Sequence, residues 1–341
     1  LAKKVIADGT LDYLGLAHEM LADPYWPTKM KEGRYEDIRP CIGCNECLLA
    51  GFSGKHYYCA VNPTCYAEKD YALPKPDGSK KSILVIGGGP GGMSAAITAR
   101  QRGWDVELWE KSDRLGGTLW AAGGPDFKAD IIKSIQYMKT QCEKLGVKVC
   151  YNKTATAENV LGGNYDKVIL AAGASPAVPP IPGIEHAQLV SDYLTHKVGV
   201  GKKVVIIGGG LAGTEAACDI APNAEEVTIV EMLPDILYTA AHCLNNDQQL
   251  RNMVRDRGVK VAADAKVTNI TADSVTYEKD GQTVTIPCDT ILNAAGFQAN
   301  NQLEDLLEDN YDNVTVIGDA VGPRKILNAI HEGYHAIRVM E

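Results

Sequence analysis

Four cysteines, Cys41, Cys44, Cys47 and Cys59, stand in the order C-x2-C-x2-C-x11-C. Thiolates gathered this tightly suit a [4Fe-4S] cluster, where three closely spaced cysteines hold one side of the cube and a distant fourth closes it. Zinc is the alternative, because four thiolates also make a structural tetrahedral site, although such sites usually come as two separated C-x2-C pairs. Cys65, six residues further on, is the less favoured choice of fourth ligand. The remaining cysteines, Cys142, Cys150, Cys218, Cys243 and Cys288, are scattered over apolar patterns and are expected to be small buried hydrophobes. Such local clustering argues for a metal rather than a disulfide framework.

The second kind of chemistry lies in glycines. Gly87, Gly89 and Gly92 make a G-x-G-x-x-G directly after the apolar run ILVIG and directly before the helical pattern MSAAITARQRG. The first glycine allows the tight turn, the second lets backbone approach a pyrophosphate, and the third allows close packing of helix on strand. The helix N-terminus then offers unpaired N–H groups and a partial positive charge. Glu110, 18 residues past Gly92, ends the next strand where a carboxylate accepts hydrogen bonds from ribose hydroxyls. All of this recurs in Gly208, Gly210, Gly213 and Glu231, at an offset of 121 residues. Two dinucleotide sites mean two cofactors, or a cofactor and a substrate, and a flavin with a nicotinamide is the usual pair. Glu231 is followed by Met232 with no Arg or Lys close behind. A 2′-phosphate about 4 Å from that carboxylate would cost about 4 kcal/mol at an effective dielectric of 20, so NADH is expected over NADPH.

The elements that must position these groups form a repeat longer than any solenoid period, which signals domain duplication. KSILVIGGGPGG (81–92) corresponds to KKVVIIGGGLAG (202–213), and VELWEK to VTIVEM. VILAAG, ending at Gly173, is echoed by TILNAAG, ending at Gly296. Each unit is a β-α-β start with a buried closing strand, so the fold class is α/β with two Rossmann-type folds. Ahead of them, LDYLGLA (11–17) reads as a short strand, followed by a helical stretch rich in Trp, Met and Lys, and LPKPDGSKK (73–81) reads as a linker.

Composition narrows the partners. The 341 residues carry 34 basic and 43 acidic side chains, a formal charge of -9, with no basic block to neutralise a row of phosphates, so nucleic acid is not expected. No run of 18 apolar residues is present and no membrane span is expected. The chain starts at Leu1 without the pattern of a secretory signal, and reads as a fragment of a cytoplasmic protein. Oligomeric state is left open, homo-oligomers included.

From about Lys80 onward the chain resembles the two-dinucleotide-binding flavoproteins, in which the nicotinamide domain is inserted in a split flavin domain. TVIGDA (315–320) is similar to the motif that returns to the flavin there, which implies that Gly318 and Asp319 contact its ribityl-phosphate region. RLGGTLW (114–120), with Arg114 and Gly117, is similar to the loop beside the flavin. The resemblance implies FAD on 80–184 and 297–341, and NAD(H) on 185–296. LADPYWPTKMKEG (21–33), IRPCIGCNECL (38–48) and CAVNP (59–63) resemble the long members of the old yellow enzyme family, such as 2-enoate and dienoyl-CoA reductases and trimethylamine dehydrogenase. The resemblance implies an FMN-bearing β/α barrel ahead of this chain, with residues 1–36 its end, residues 37–79 the cluster segment and linker, and 11–24 its last strand and helix. Ala17 and His18 replace that family's usual Gly-Arg at the FMN phosphate, and His18 reads equally as a surface or packing histidine. The implied activity passes electrons from NADH through FAD and the cluster to FMN, where an activated C=C bond of a small-molecule substrate is reduced. No general acid or base is assigned within this chain.

Three other readings are open at this stage. A stand-alone electron-transfer subunit would serve a separate catalytic partner, although it would have no use for a barrel end. A zinc-stabilised nucleotide-binding module would need a regulatory second site. A disulfide reductase would need a redox cysteine pair, and no C-x2-C or C-x4-C follows Cys65.

Overall fold

A computed structural model describes residues 2–76, 78–239, 244–308 and 313–341. Two five-stranded parallel sheets dominate it. The first places Val314–Val316, Lys167–Leu170, Ser82–Ile86, Asp105–Trp109 and Lys148–Cys150 side by side. The second repeats that order with Gln188–Leu189, Thr290–Asn293, Lys203–Ile207, Glu226–Val230 and Lys260–Ala262. In both, the strand entering the glycine turn is central and buried almost throughout. Such strands read as continuous apolar runs because helices cover both faces of a parallel sheet. This is the duplicated α/β arrangement expected from the repeat.

The second sheet is inserted into the first unit. The chain leaves after Gly173 along Ala174–Pro176 and returns after Gly296 along Phe297–Ala299, and these two short strands pair antiparallel. An antiparallel meander of Lys266–Ile270, Ser274–Lys279 and Gln282–Pro287 packs Val267, Ile270, Val275 and Tyr277 against the second sheet. The helix Ile326–Arg338 closes the first unit by lying on Pro90–Gln101. Glycines permit that approach: a Cβ on Gly333 would run into the Gly91 carbonyl oxygen. Ser94 Oγ donates to the Ile330 carbonyl at 2.7 Å across the same contact.

The N-terminal region departs from expectation. LDYLGLA forms no strand, because a ladder needs a neighbouring strand and none of the described residues pairs with it. Leu11, Tyr13 and Leu14 are exposed. The helical stretch is present as Trp26–Lys31, preceded by His18–Ala22. Asp23, 3% exposed, anchors this region by accepting hydrogen bonds from Lys29 Nζ at 2.6 Å and from the Arg39 amide at 2.9 Å. Among the described residues, no helix is long and apolar enough to cross a membrane.

Of the scattered cysteines, Cys142, Cys218 and Cys288 are buried as expected, and Cys243 lies outside the described residues. Cys150 is only half-buried and donates to Glu107 Oε1 at 3.2 Å, so it is a polar partner rather than filler. Glu107 also accepts from Tyr165 Oη at 2.7 Å and pairs with Lys148 at 3.2 Å. Burial works to raise its pKa, but the hydrogen bonds from Tyr165, Cys150 and Lys148 prevail and bring it down to about 2. A carboxyl depressed on folding stabilises the fold above its unfolded value, and that contribution is lost as pH falls toward the folded one. Glu107→Gln is therefore expected to cost about 2 kcal/mol at pH 7. Urea midpoints should show the gap between variant and parent narrowing below the ordinary carboxylate value of 4.5 and closing toward about 2.

Candidate functional site: two dinucleotide turns and a cysteine pocket

At the first turn, Gly87 has φ +105°, and a Cβ there would strike the Ala171 carbonyl. Its amide donates to Trp109 O at 2.8 Å, locking the turn to the neighbouring strand. Gly89 caps the helix Pro90–Gln101 in extended backbone, with no side-chain cap and no heavy atom within 4 Å of where its Cβ would stand. That open space at a helix N-terminus is what a pyrophosphate requires. Gly92 is the opposite case, since its Cβ would land on the Gly87 carbonyl oxygen.

The other expected residues of this site gather around the turn. Gly116 donates to Gly88 O at 2.8 Å, and a Cβ on Gly117 would come within 3.2 Å of Gly89 Cα, so the 114–117 loop lies over the turn. Arg114 stacks its guanidinium 4.6 Å from the centre of the Trp120 ring. Asn300 donates to Gly173 O at 2.9 Å where the chain returns. Gly318, at φ +65°, donates to Glu332 Oε2 at 2.7 Å, and Asp319 accepts from the Arg324 amide at 2.9 Å. Burial raises the Asp319 pKa, against the Arg324 amide and charge. Ala329 joins these parts, its carbonyl 3.1 Å from a Cβ on Gly91 and its Cβ 3.4 Å from one on Gly318.

The second turn repeats the first closely. Gly208 has φ +106°, Gly210 caps Leu211–Ile220 over open space, and a Cβ on Gly213 would meet the Gly208 carbonyl. A Cβ on Gly208 would in turn strike Ala294 O, two residues before Gly296, which itself lies at φ +98°. The two acids, expected to meet a ribose, already have protein partners. Glu110 accepts from the Gly88 amide at 2.7 Å and from the Ser112 amide and hydroxyl, both at 2.8 Å. Glu231 accepts from the Gly209 amide at 2.6 Å and the Leu233 amide at 2.8 Å. Each carboxylate braces its own glycine turn, and a carboxylate has about four lone-pair sites, so acceptor capacity remains for a ligand hydroxyl.

Cys41, Cys44, Cys47 and Cys59 line one small pocket together with His18, Leu21, Ile42, Asn45, Ala60 and Val61. Cys65 is buried nearby in the apolar core but is not part of that lining. Burial raises the thiol pKa of Cys41 and Cys59 and pushes Cys44 up to about 12. Thiols so placed are neutral unless a cation draws the protons off, which is how a metal ligand is made. Among the described residues, no three His, Cys, Asp or Glu side chains are grouped closely enough to hold a single metal ion.

The pocket is tied to both dinucleotide units through residues that no spacing in the sequence marked. His331 Nε2 lies 2.8 Å from the Cys59 carbonyl, and Lys325 Nζ donates to Glu46 Oε1 at 2.7 Å. Asn246, on the helix Leu244–Asp256, donates to Cys44 O at 3.2 Å and accepts from Asn45 at 2.7 Å. His18 faces the cysteine pocket rather than open surface. These contacts span hundreds of positions, and only the fold reveals them.

Two parallel dinucleotide folds, one inserted in the other, define a two-dinucleotide oxidoreductase. The pyridine nucleotide-disulphide oxidoreductase profile matches residues 81–333, and the chain belongs to that family. It is the FAD- and NAD-binding part of a flavoprotein oxidoreductase, and it matches the C-terminal half of old yellow enzyme-type reductases. It is 34% identical over 340 residues to a cinnamate reductase of Clostridium sporogenes, covering 99% of this chain and 51% of that protein. It is 38% identical over 345 residues to an NADH oxidase of Thermoanaerobacter brockii, covering 98% and 52%. Among solved structures, a 2-naphthoyl-CoA reductase complex superposes with a TM-score of 0.93 at 35% identity, covering 99% of this chain and 52% of that one. The chain thus spans about half the length of the relatives it matches. The family's description includes a disulphide, and after Cys65 no C-x2-C or C-x4-C spacing occurs in this sequence.

Proposed function

We propose that this chain takes hydride from NADH on residues 185–296 and holds FAD on 80–184 and 297–341. It carries a [4Fe-4S] cluster on Cys41, Cys44, Cys47 and Cys59, and delivers electrons to FMN on a β/α barrel. The net reaction there is NADH + H⁺ with an activated C=C bond, giving NAD⁺ and the saturated CH–CH product. Bound in these sites, FAD exchanges a two-electron hydride for single electrons and the cluster carries one at a time.

The observation that carries this reading is the convergence of all four spaced cysteines on one pocket that is hydrogen-bonded to the helix leading from Gly318 and Asp319. A cluster is preferred over zinc on the spacing, because structural zinc sites usually come as two separated C-x2-C pairs. The shared pocket supports Cys59 over Cys65 as the fourth ligand. Residues 11–24 as a barrel end rest on resemblance alone. Two relatives are named as reductases of cinnamate and of 2-naphthoyl-CoA, which supports a conjugated acyl substrate.

The test is an anaerobic visible spectrum of the protein before and after one equivalent of NADH. Flavin bands over a broad iron–sulfur absorbance, both bleaching on NADH, are the expected result. NADPH at the same concentration should act at least about tenfold more slowly, given a repulsion of about 4 kcal/mol at Glu231. Iron–sulfur absorbance without flavin bands would remove FAD from the first site. A colourless protein containing zinc would overturn the electron-transfer reading.

A further inference from the structure

Glu46 stands between Cys44 and Cys47 in the chain, opens the helix Glu46–Phe52, and is 6% exposed. A buried carboxylate is costly unless it is paired. Its Oε1 accepts from Lys325 Nζ at 2.7 Å and its Oε2 from Tyr58 Oη at 3.4 Å, Tyr58 being the residue before Cys59. Filling space beside the cysteines would need no carboxylate, so a charge here has an electrostatic consequence for whatever the cysteines bind.

The partner is equally placed. Arg324 and Lys325 are consecutive, yet they serve opposite sides. Arg324 pairs with Glu332 through distances of 2.7 and 2.8 Å and donates to Gly318 O at 3.2 Å, which holds the turn bearing Asp319. Lys325 reaches the other way, to Glu46. One dipeptide therefore fastens the flavin-side turn with its first side chain and the cysteine segment with its second.

We infer that Glu46 and Lys325 are a positioning pair that sets the reduction potential of the cluster and couples its segment to the flavin-side turn. This rests on the cluster reading above. Net charge and hydrogen bonding around a cluster set its potential, because reduction adds one negative charge. With both partners present the local charge is balanced. Lys325→Gln leaves the Glu46 anion uncompensated and lowers the potential. Glu46→Gln leaves the Lys325 cation uncompensated and raises it. The double variant returns toward the parent, and Lys325→Arg stays with it.

The experiment is a dithionite titration of the iron–sulfur-loaded protein followed by electron paramagnetic resonance, each dithionite-derived electron reducing one cluster. Each single substitution is expected to change the one-electron equilibrium about tenfold, which is about 59 mV, in opposite directions. A purely structural role would move both variants the same way or neither, and either result overturns the inference. If Lys325→Gln does not retain the cluster, the upward shift in Glu46→Gln decides alone, and its absence overturns the inference. A parent protein with no cluster signal overturns the functional reading itself, a failure distinguishable from unchanged potentials in a protein that holds the cluster.

Discussion

Gly89→Ala is expected to fold like the parent while losing at least about tenfold in FAD affinity, whereas Gly92→Val is expected to destabilise the first unit by about 3 kcal/mol. The two glycines lie three residues apart and are conserved in role between the two turns, but they meet opposite surroundings. A methyl on Gly89 touches no protein atom within 4 Å and its φ of −73° is ordinary, so the fold has no objection to it. The methyl instead fills the space in which a pyrophosphate would approach the helix N-terminus. A side chain on Gly92 meets the Gly87 carbonyl and, at 3.2 Å, Val85 Cγ1. Backbone cannot step aside there, because Gly87 is itself held by Trp109 O. Helix Pro90–Gln101 would have to lift from its strand, disturbing its contact with Gly333 on the far side. Flavin titration by fluorescence and urea unfolding separate the two effects. Full FAD affinity in Gly89→Ala would mean that the pyrophosphate lies elsewhere. Gly210→Ala and Gly213→Val supply the same contrast for NADH, since a Cβ on Gly210 is equally unobstructed and one on Gly213 equally blocked.

What was legible beforehand follows from how local each constraint is. The glycine turns and their acids were readable because a tight turn, a close helix and a bracing carboxylate each demand a residue type at a set distance along the chain. The buried parallel strands announced themselves as short apolar runs such as ILVIG and VVIIG. LDYLGLA looked the same by that test and is not a strand here, because strand formation depends on a neighbour that local sequence does not contain. The bracing of Gly88 and Gly209 by Glu110 and Glu231 has no separate signal in the sequence, since a ribose role alone accounts for an acid at each position. Glu46, Lys325, His331 and Asn246 carried no signal at all. Their partners are remote in sequence, and an isolated charged or amide side chain near a helix end reads as solvated surface until the fold supplies its partner.

Cys59→Ser is expected to abolish iron and sulfide binding, and Cys65→Ser to leave both unchanged. The spacing alone allowed either cysteine to close the set begun by Cys41, Cys44 and Cys47. In the folded chain both Cys59 and Cys65 are buried in the same apolar core, but only Cys59 lines the pocket shared by Cys41, Cys44 and Cys47. Cys59 is also the residue whose carbonyl meets His331, so its backbone is fixed from the side of the first dinucleotide unit. Serine removes the thiolate but keeps nearly the same volume, which leaves the core around both positions intact and makes loss of metal the specific readout. Iron, sulfide and zinc are measured together in the purified proteins. Iron retained in Cys59→Ser but lost in Cys65→Ser would transfer the fourth ligand to Cys65. Zinc in the parent, lost on either substitution, would replace an electron carrier by a structural ion, and the two dinucleotide sites would then have no one-electron exit through this segment.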